Sequence, residues 1–252
     1  LEQVKQFLFL PLGINLVSAA MVYFLLCNRD MIREAKSVYI LLEKNDLEGA
    51  RRRVSRIVGR QTDSLDRKEI IRAAVESVAE NLVDGFISPL FYLVLGGAPL
   101  GYLYKTVNTF DSMFGYKSEK YLEFGKAGAR ADDVLNFIPA RLNVLFMLTA
   151  GGFRRSIIRT VIQHGKKHPS PNAGLAEAGF SGFLGIALGG PSVYSGEMHN
   201  KQWIGENRLS APSMEDPGLI LKAVSYYWKV VYLSFGVFLA AVYFLGLPVV
   251  FG

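Results

Sequence analysis

AAVESVAENLVDGFISPLFYLVLGGAPLGYLYKTVNTFDSM, residues 73–113, is the stretch that decides the fold. Residues 85–104 within it carry no charge, and a run of that length crosses a bilayer of about 30 Å at about 1.5 Å per residue. Polar side chains flank the run. The sequence Gly-Gly-Ala-Pro at 96–99 interrupts it, and a straight helix does not usually contain such a sequence. The sequence therefore predicts a re-entrant helical hairpin over residues 86–104, whose return brings both polar sets to one face.

The flanking polar side chains repeat with helical spacing. They are Glu76, Glu80 and Asp84 before the run, at four-residue intervals, and Lys105, Asn108 and Asp111 after it, at three-residue intervals. Stacked like charges repel by about 0.2–0.5 kcal/mol per pair, so we expect a cation between them. Carboxylates bind Mg²⁺, which usually arrives with the phosphates of a nucleotide. The alternative is a solvated helix face on which Arg72 pairs with Glu76.

The composition is typical of a membrane protein with a substantial aqueous part. Of the 252 residues 50% are hydrophobic and 20% are charged, and the mean hydropathy is +0.23. The net charge of +6 is spread along the chain, which favours lipid headgroups and anionic ligands over nucleic acid. Cys27 is the single cysteine, so an internal disulfide and a cysteine-based zinc finger are excluded.

Two long apolar runs, residues 7–27 and 230–251, predict spanning helices. Three basic residues within 29–36 follow the first run, and one lysine precedes it, so the chain from residue 28 onward is expected in the cytoplasm. Both termini would then face outward. Because the chain begins at Leu1 without a methionine, we expect part of the natural N-terminus to be missing.

Residues 28–84 are predicted to form cytoplasmic helices below the membrane. Asp46 is expected to begin one helix, and Asp66 the next, with Glu69 three residues later in a capping-box arrangement. An arginine run between them is expected to face solvent and lipid headgroups, with phosphate binding as the alternative. Its members are Arg51, Arg52, Arg53, Arg56 and Arg60.

A second acidic motif follows the hairpin. Asp132 and Asp133 lie one turn from Asn136, and beside a membrane segment they predict a second metal or phosphate contact. As acids at a helix N-terminus they would equally complement the helix dipole. Pro139 is predicted to end or kink this helix just before Arg141.

Two further apolar segments are predicted to be re-entrant or buried. Residues 142–153 are too short to span, and the glycines of residues 178–196 suit close helix packing or contact with a large ligand. Residues 197–217 form a polar loop without a recognisable pattern. The sequence contains no Walker A loop, dinucleotide fingerprint, serine elbow or haem motif.

The segment HPSPNAG, residues 168–174, predicts a rigid turn that leads into a helix. Asn172 is expected to cap this helix, whose free backbone N–H groups would suit an anion; an ordinary capped turn is the alternative. His164 and His168 are four residues apart, but Pro169 biases His168 away from helix and no third ligand is near. A zinc pair is therefore disfavoured.

Five motifs follow one another along the chain. They are AAVESVAENLVDGFISPLFYLVLGGAP, VNTFDSMFGY, RADDVLNFIPAR, HPSPNAG and EAGFSGFLGIALGGPSVY. In order and spacing they resemble the membrane-bound adenosylcobinamide-phosphate synthase family of cobalamin biosynthesis, from about residue 29 to residue 194. The resemblance implies ATP-dependent amide formation between adenosylcobyric acid and (R)-1-aminopropan-2-ol or its O-phosphate. Family members usually carry an additional N-terminal segment with a His-Pro motif, which is not found here, so any ligand it supplies is unaccounted for.

The resemblance and the residues agree on the chemistry. A carboxylate must first be activated, as an acyl phosphate or adenylate, which requires Mg²⁺ and cations that hold the phosphates of ATP. We predict Glu80, Asp84 and Asp111 as catalytic Mg²⁺ ligands, and Asp132 or Asp133 as a second metal contact or the base for the amine. Asn81 and Asn108 would orient the groups around the metal, and Lys105, Arg141 and His168 would contact phosphate. The full set of predicted binding residues is Glu76, Asn81, Lys105, Asn108, Arg141, His168, Ser170 and Asn172.

The sequence thus predicts an all-α polytopic integral membrane protein with spanning helices, a re-entrant helical hairpin and cytoplasmic helices. We expect it in the cell membrane, in contact with lipids, with the active site facing the cytoplasm; the oligomeric state stays open. A secondary transporter is the main alternative, but it predicts an inverted repeat, and the break at 96–99 has no clear counterpart in the second half. An intramembrane Mg²⁺-dependent phosphotransferase acting on a lipid headgroup is a further alternative, and a purely structural subunit has least support.

Overall fold

The computed structural model describes residues 22–26, 29–114, 122–194, 196–205 and 212–245. Within these ranges the chain is mostly helical, which confirms the predicted all-α membrane class. The helices are α1 (Arg29–Glu43), α2 (Leu47–Val54), α3 (Arg67–Leu82), α4 (Ser88–Phe114), α5 (Leu122–Ala150), α6 (Arg155–His164), α7 (Ala173–Leu184) and α8 (Gly218–Leu245), with a π-helical turn at Val83–Ile87 and a 3₁₀ turn at Pro212–Glu215.

Short antiparallel strands follow α7, where the sequence predicted a buried segment and then a patternless loop. β1 (Leu188–Gly189) pairs with β4 (Trp203–Ile204), and β2 (Ser192–Tyr194) pairs with β3 (Glu197–His199). The expectation of an unpaired loop was therefore wrong in part. Strands of two or three residues are too short to show the alternation that identifies a strand in a sequence.

The helices that precede the hairpin begin where the sequence predicts. Asp46 accepts the backbone N–H of Gly49 at 2.8 Å at the start of α2. Asp66 and Glu69 form the predicted capping box at the start of α3. Two arginines of the basic run pair with Glu34 on α1, so part of that run joins α1 to α2 instead of facing only solvent and lipid.

The predicted reversal of the chain lies inside α4. Its helical geometry is interrupted at Gly96 and at Gly97, which has φ 68° and ψ −164°. Beyond the break the chain returns, because the rings of Tyr92 and Tyr104 stack with centroids 5.3 Å apart, whereas a straight helix would separate them by about 18 Å. The two halves of α4 therefore form a hairpin; its re-entry into a membrane stays a prediction.

Replacement of Gly97 by alanine is expected to destabilise the protein by about 1–3 kcal/mol, because its backbone conformation is one that essentially only glycine adopts. The measurement is thermal unfolding of the purified protein in detergent. Gly236→Ala is the control, since Gly236 lies within α8 and no atom of the described residues is within 4 Å of an added Cβ. An equal effect of the two substitutions would contradict the proposed strain at Gly97.

Helix α5 continues through Pro139, where the sequence predicted an end or a kink. The helix covers 29 residues to Ala150, so residues 142–150 of the predicted segment 142–153 are instead its C-terminal part. Proline provides no N–H for the carbonyl four residues earlier. That carbonyl, on Leu135, accepts a hydrogen bond from the Tyr92 hydroxyl at 2.8 Å. The hairpin thus satisfies the group that Pro139 leaves unpaired.

Tyr92→Phe is expected to destabilise the protein by about 1–3 kcal/mol, because it leaves the Leu135 carbonyl without a donor. In a Pro139→Ala background the cost should be smaller, since alanine at this position supplies the missing backbone N–H. A double-mutant cycle on thermal unfolding in detergent measures this coupling. Equal costs in the two backgrounds would show that the hydroxyl does not replace the missing donor.

In the part of the chain that the structure describes, three helical stretches are long and apolar enough to span a membrane: Arg67–Phe114, Gly125–Ala150 and Gly218–Phe244. Because the first folds back at Gly97, we expect its apolar part to enter and leave a membrane on the same side. The predicted span 7–27 lies outside the described residues except for residues 22–26.

The predicted span 230–251 corresponds to the second half of α8, as far as residue 245 is described. The helix begins earlier than predicted because its first turns pack on the protein core. The buried side chains there are Leu219, Ile220, Ala223, Tyr226 and Tyr227. Farther along, large apolar side chains such as Leu239 and Phe244 are exposed, as lipid contact requires.

The predicted close packing at the glycines of residues 178–196 is present on α7. A Cβ on Gly179 would lie 2.5 Å from the Met147 side chain of α5, and one on Gly182 would lie 2.7 Å from the Ile157 backbone of α6. Both glycines therefore allow α7 to approach its neighbours. This packing fixes the start of α7 beside the acidic pair of α5.

Candidate functional site

The π-helical turn between α3 and α4 carries Asp84. Single π-helical turns are rare and frequently occur at functional sites. The turn follows the α3 face that carries Glu76 and Glu80, and the Asp84 side chain is half-buried. The residue is therefore held on rigid backbone while part of its side chain stays accessible.

The returning half of α4 and helix α5 bring three polar side chains to Asp84. Lys105 Nζ lies 3.4 Å from the Asp84 backbone oxygen and 3.4 Å from Asn108 Oδ1. Asn108 Nδ2 donates to Asp132 Oδ1 at 3.1 Å, and Asp132 is the strongest charged neighbour of the Asp84 carboxylate. We call Asp84, Lys105, Asn108 and Asp132 the carboxylate centre.

A buried network orients Asp132 within this centre. Asn136, one turn along α5, donates to Asp132 Oδ2 at 2.8 Å. The Asn136 Oδ1 atom accepts hydrogen bonds from the hydroxyls of Ser88, at 2.5 Å, and Tyr104, at 3.0 Å. Because each half of α4 provides one of these hydroxyls, the closed hairpin fixes the orientation of Asp132.

Asp111 and Asp133 lie at the edge of the carboxylate centre. Asp111 is half-buried, and Asp132 and Asp133 are the charged groups that act on it most strongly. Asp133 Oδ1 accepts the Ser170 hydroxyl at 2.8 Å, and Asn172 Nδ2 donates to the Asp133 backbone oxygen at 2.8 Å. Asp133 thus joins α5 to the turn before α7; its role as a metal contact or base stays a prediction.

The predicted magnesium site stays a prediction, and the arrangement of these acids shows which of them could share one ion. Among the residues that the structure describes, no three His, Cys, Asp or Glu side chains form a group that could hold a metal ion. Glu80, Asp84 and Asp111 therefore do not form a ready-made three-ligand set. Mg²⁺ in nucleotide sites usually has one or two carboxylate ligands besides phosphates and water, and Asp84 with Asp132 suits that smaller requirement.

Glu76 is engaged in a buried ion pair. One carboxylate oxygen bonds Arg60, and the other accepts the backbone N–H of Gly189 at 2.6 Å, with Arg72 Nε 3.9 Å away. The alternative pairing of Glu76 with Arg72 is thus present in part. The contacts attach α3 to β1, and they leave the carboxylate little freedom for the predicted substrate binding.

Glu80 is the centre of a cluster of charged groups that we call the recess. Its side chain is exposed, yet it is surrounded by charged groups from several elements, of which Lys201, Glu76 and Arg60 have the strongest effect. Asp132 also acts on it, so the recess extends towards the carboxylate centre. The neighbouring Asn81 is half-buried.

Three residues at the recess were missed as site residues by the sequence analysis. Lys201 lies after β3, in the stretch that showed no pattern, and Glu177 is buried on α7 among apolar residues and glycines. Arg60 was noted only as part of the basic run. A buried acid within an apolar helix was the one available signal, since such groups are rare without a role.

His168 is predicted to contact phosphate, and the structure places its ring between the Ser170 backbone and Glu177; its contact with phosphate stays a prediction. Its Nδ1 atom accepts the Ser170 backbone N–H at 3.0 Å, and its Nε2 lies 3.8 Å from Glu177 Oε1. Burial, followed by the charge of Lys201, lowers the pKa of His168 to about 4. Burial, followed by the charges of Glu76 and Glu80, raises the pKa of Glu177 well above its usual value. The imidazole is therefore neutral at pH 7.

Acidification is expected to destabilise the protein through His168. The unfolded chain takes up this proton near pH 6.5 and the folded chain only near pH 4, so stability falls as the pH drops through that window. Between pH 7 and pH 5 this contributes a loss of about 2 kcal/mol. Thermal unfolding of the wild type and His168→Gln at both pH values measures the difference. Glu177 acts in the opposite direction in both proteins, and an equal pH dependence in both would contradict the assignment.

Asn172 is predicted to cap α7, but its own side chain does not do so. Ser170 Oγ instead accepts the backbone N–H groups of Asn172, at 3.3 Å, and Ala173, at 3.4 Å. The Asn172 side chain is drawn to α5, where its Oδ1 accepts from Arg141 at 2.7 Å. The helix start at Ala173 is confirmed.

Arg141 occupies the wall of a cavity of about 590 Å³ between α5, α6 and the turn before α7. Its guanidinium also donates to the Phe137 backbone oxygen at 2.7 Å and lies over the Phe137 ring. Lys166 and His168 line the same cavity. Arg141 is therefore near the acidic pair of α5 but oriented by protein contacts.

Comparison with known proteins places these residues within one family. A family model described as CobD/CbiB protein matches residues 2–225. Cobalamin biosynthesis protein CobD of Leptospira interrogans is 48% identical over 196 residues, which cover 76% of this chain and 62% of that protein. Cobalamin biosynthesis protein CbiB of Salmonella arizonae is 44% identical over 229 residues, which cover 89% of this chain and 70% of that protein.

A further relative, CobD of Photorhabdus laumondii, is 47% identical over 197 residues. The chain thus spans 62% of the length of the first of these curated relatives. No solved structure matches the chain.

Proposed function

This chain belongs to the CobD/CbiB protein family, and from that premise we propose that it is an ATP-dependent amide synthase of cobalamin biosynthesis. Its substrates would be adenosylcobyric acid and (R)-1-aminopropan-2-ol or the O-phosphate of that amine. The reaction would join the free propionate of the corrinoid to the amine. The names of the curated relatives support the pathway, and the resemblance of the motifs supports the reaction.

The observation that carries this proposal is the carboxylate centre. Asp132 is the principal charged neighbour of Asp84, although the two residues are far apart in the chain. Lys105 brings a positive charge to the same place. Paired acids with one cation suit a nucleotide phosphate that arrives with Mg²⁺.

The chemistry divides into activation and amine attack. In activation a carboxylate oxygen of the corrinoid attacks phosphorus of ATP, and ADP or pyrophosphate leaves. The amine nitrogen then attacks the activated carbonyl carbon, phosphate or AMP leaves, and the amine gives up a proton. Asp84 and Asp132 would hold Mg²⁺, which when bound neutralises phosphate charge. Lys105 would hold a phosphate oxygen, Asn108 would fix Asp132, and Asp133 is the candidate base.

We further propose that the protein lies in the cell membrane with this centre open to the cytoplasm. The apolar helices support a membrane location, and the basic residues after the first apolar run favour the cytoplasmic side. ATP and Mg²⁺ are available there. Labelling of cysteines introduced at residues 80 and 111 from either side of sealed vesicles measures the orientation.

Product analysis by mass tests the proposed reaction. The purified protein is incubated with ATP, Mg²⁺, adenosylcobyric acid and either form of the amine, and an amide product with ATP consumption is expected. A phosphodiester product would instead support the phosphotransferase. Corrinoid uptake into liposomes without ATP, and without an amide product, would support the transporter.

A further inference from the structure

A second pocket opens beside the recess that contains Glu80. Its volume is about 320 Å³, and hydrogen-bond donors provide most of its wall. These are Lys167, His168, His199, Asn200, Lys201 and Gln202. Pro169 completes the described wall, and no carboxylate lines the pocket among the residues that the structure describes. The pocket therefore favours an anion, in contrast to the acidic carboxylate centre.

Lys201 connects this pocket to the recess. It is the strongest attractive charge on Glu80, and it also acts on Glu177 and His168. Its ammonium group donates to the Tyr194 hydroxyl at 3.0 Å and lies 5.0 Å from the centre of the Tyr194 ring. The Lys201 ammonium group is thus held at the boundary between the donor-lined pocket on one side and Glu80 and Asp132 on the other.

Arg60 adds an incompletely satisfied cation on the inner side of the same region. Its side chain is only 8% exposed, and one guanidinium nitrogen bonds Glu76, while Nε and Nη1 have no hydrogen-bond partner among the described residues. Tyr194 and Glu177 are charged or titratable neighbours that Arg60 shares with Lys201. Two donor atoms of the buried Arg60 guanidinium are therefore left without a protein acceptor among the described residues.

We propose that this pocket binds a phosphoryl group and that Lys201 is its contact nearest to the reacting centre. The inference rests on the proposed function, which offers two sources of this group, the polyphosphate of ATP and the phosphate of a phosphorylated amine. Lysine ammonium groups bind phosphate as point charges. A pocket at the lower end of the size range of ligand sites suits a phosphate tail and is too small for a corrinoid ring.

Equilibrium binding to the purified wild-type protein in detergent tests the pocket. The probes are the non-hydrolysable analogue AMP-PNP with Mg²⁺, and (R)-1-aminopropan-2-ol O-phosphate. Lys201→Met should weaken binding of at least one probe by about tenfold or more, because a charge-assisted hydrogen bond is lost. Lys201→Arg should retain most of the affinity. Lys44→Met is the matched control, since Lys44 is exposed just after α1 and lines neither of the two cavities described above.

The pattern of losses identifies the source of the phosphoryl group. A loss for AMP-PNP alone assigns the pocket to the nucleotide, and a loss for the amine phosphate alone assigns it to the amine. Losses for both support a phosphoryl site that either ligand occupies. Unchanged binding of both probes by Lys201→Met, equal losses in Lys44→Met, or no binding of either probe to the wild type would overturn the proposal. Unfolding temperatures identify a variant that has failed to fold, and Lys201→Gln, which also removes the charge, then decides.

Failure of the proposed function gives a different result. If the wild type makes no amide but binds a phosphorylated probe, and Lys201→Met weakens that binding, the phosphoryl pocket is supported and the ligase reaction is contradicted. If the amide forms and Lys201→Met changes neither binding nor rate, the reaction stands and the pocket is wrong.

Discussion

Amide formation is expected to fall by about two to three orders of magnitude when Asp84 is replaced by asparagine, the range that loss of one preorganised electrostatic group usually costs. Asparagine keeps the size of the side chain but removes the charge that faces Asp132 and Lys105. Initial rates with saturating ATP, Mg²⁺ and both organic substrates measure the effect. Asp132→Asn should lower the rate of amide formation to a similar extent. The double variant should be only slightly slower than either single variant, because the two residues would act as a unit.

Asp63→Asn is the matched control for this loss. Asp63 is an exposed acid in the connection before α3, and the same chemical change there should leave the rate within about twofold, as expected for a surface substitution. Both proteins should show similar unfolding temperatures. Wild-type turnover in Asp84→Asn would remove this residue from the proposed site while leaving the fold and the family membership untouched.

Replacement of Glu76 by alanine is expected to destabilise the protein by about 3–5 kcal/mol, the usual cost of removing one member of a buried ion pair. Arg60 and Arg72 would lose their shared carboxylate, and the Gly189 N–H would lose its acceptor. The measurement is the unfolding temperature in detergent, together with the yield of protein that is not aggregated.

Glu34→Ala provides the comparison. Glu34 also pairs with two arginines, but the Arg53 and Arg56 side chains are 38% and 62% exposed, so this loss should cost about 1 kcal/mol or less. If the two substitutions had equal effects, the buried Glu76 contacts would not be what attaches β1 to α3.

Local sequence signals predicted the hairpin because its causes are local. Gly97 adopts a backbone conformation suited to glycine, and the break lies within a run that is apolar on both sides. The caps at Asp46 and Asp66 were predictable for the same reason. Of the two alternatives predicted at Pro139, an end of the helix does not occur; the carbonyl that lacks its N–H accepts from Tyr92, a residue distant in the chain that no local pattern connects to it.

The candidate site was predictable to the extent that its residues lie on helices with readable spacing. Asp84, Lys105 and Asn108 were selected from their intervals, and the hairpin brings them together. The same intervals could not separate Glu76, which is used in an ion pair, from Glu80, which is open to the recess. That difference depends on Arg60 and Gly189, which come from other parts of the chain.

The sequence by itself determined that this protein is helical, associates with a membrane and reverses at residues 96–97, because hydropathy, glycine conformation and capping act over a few residues. Only the tertiary structure decided which polar groups meet. Lys201 and Glu177 join the recess through the short strands and the packing of α7, and His168 becomes neutral through burial. Charge pairing and desolvation depend on distances between segments, and those distances exist only after the chain has folded.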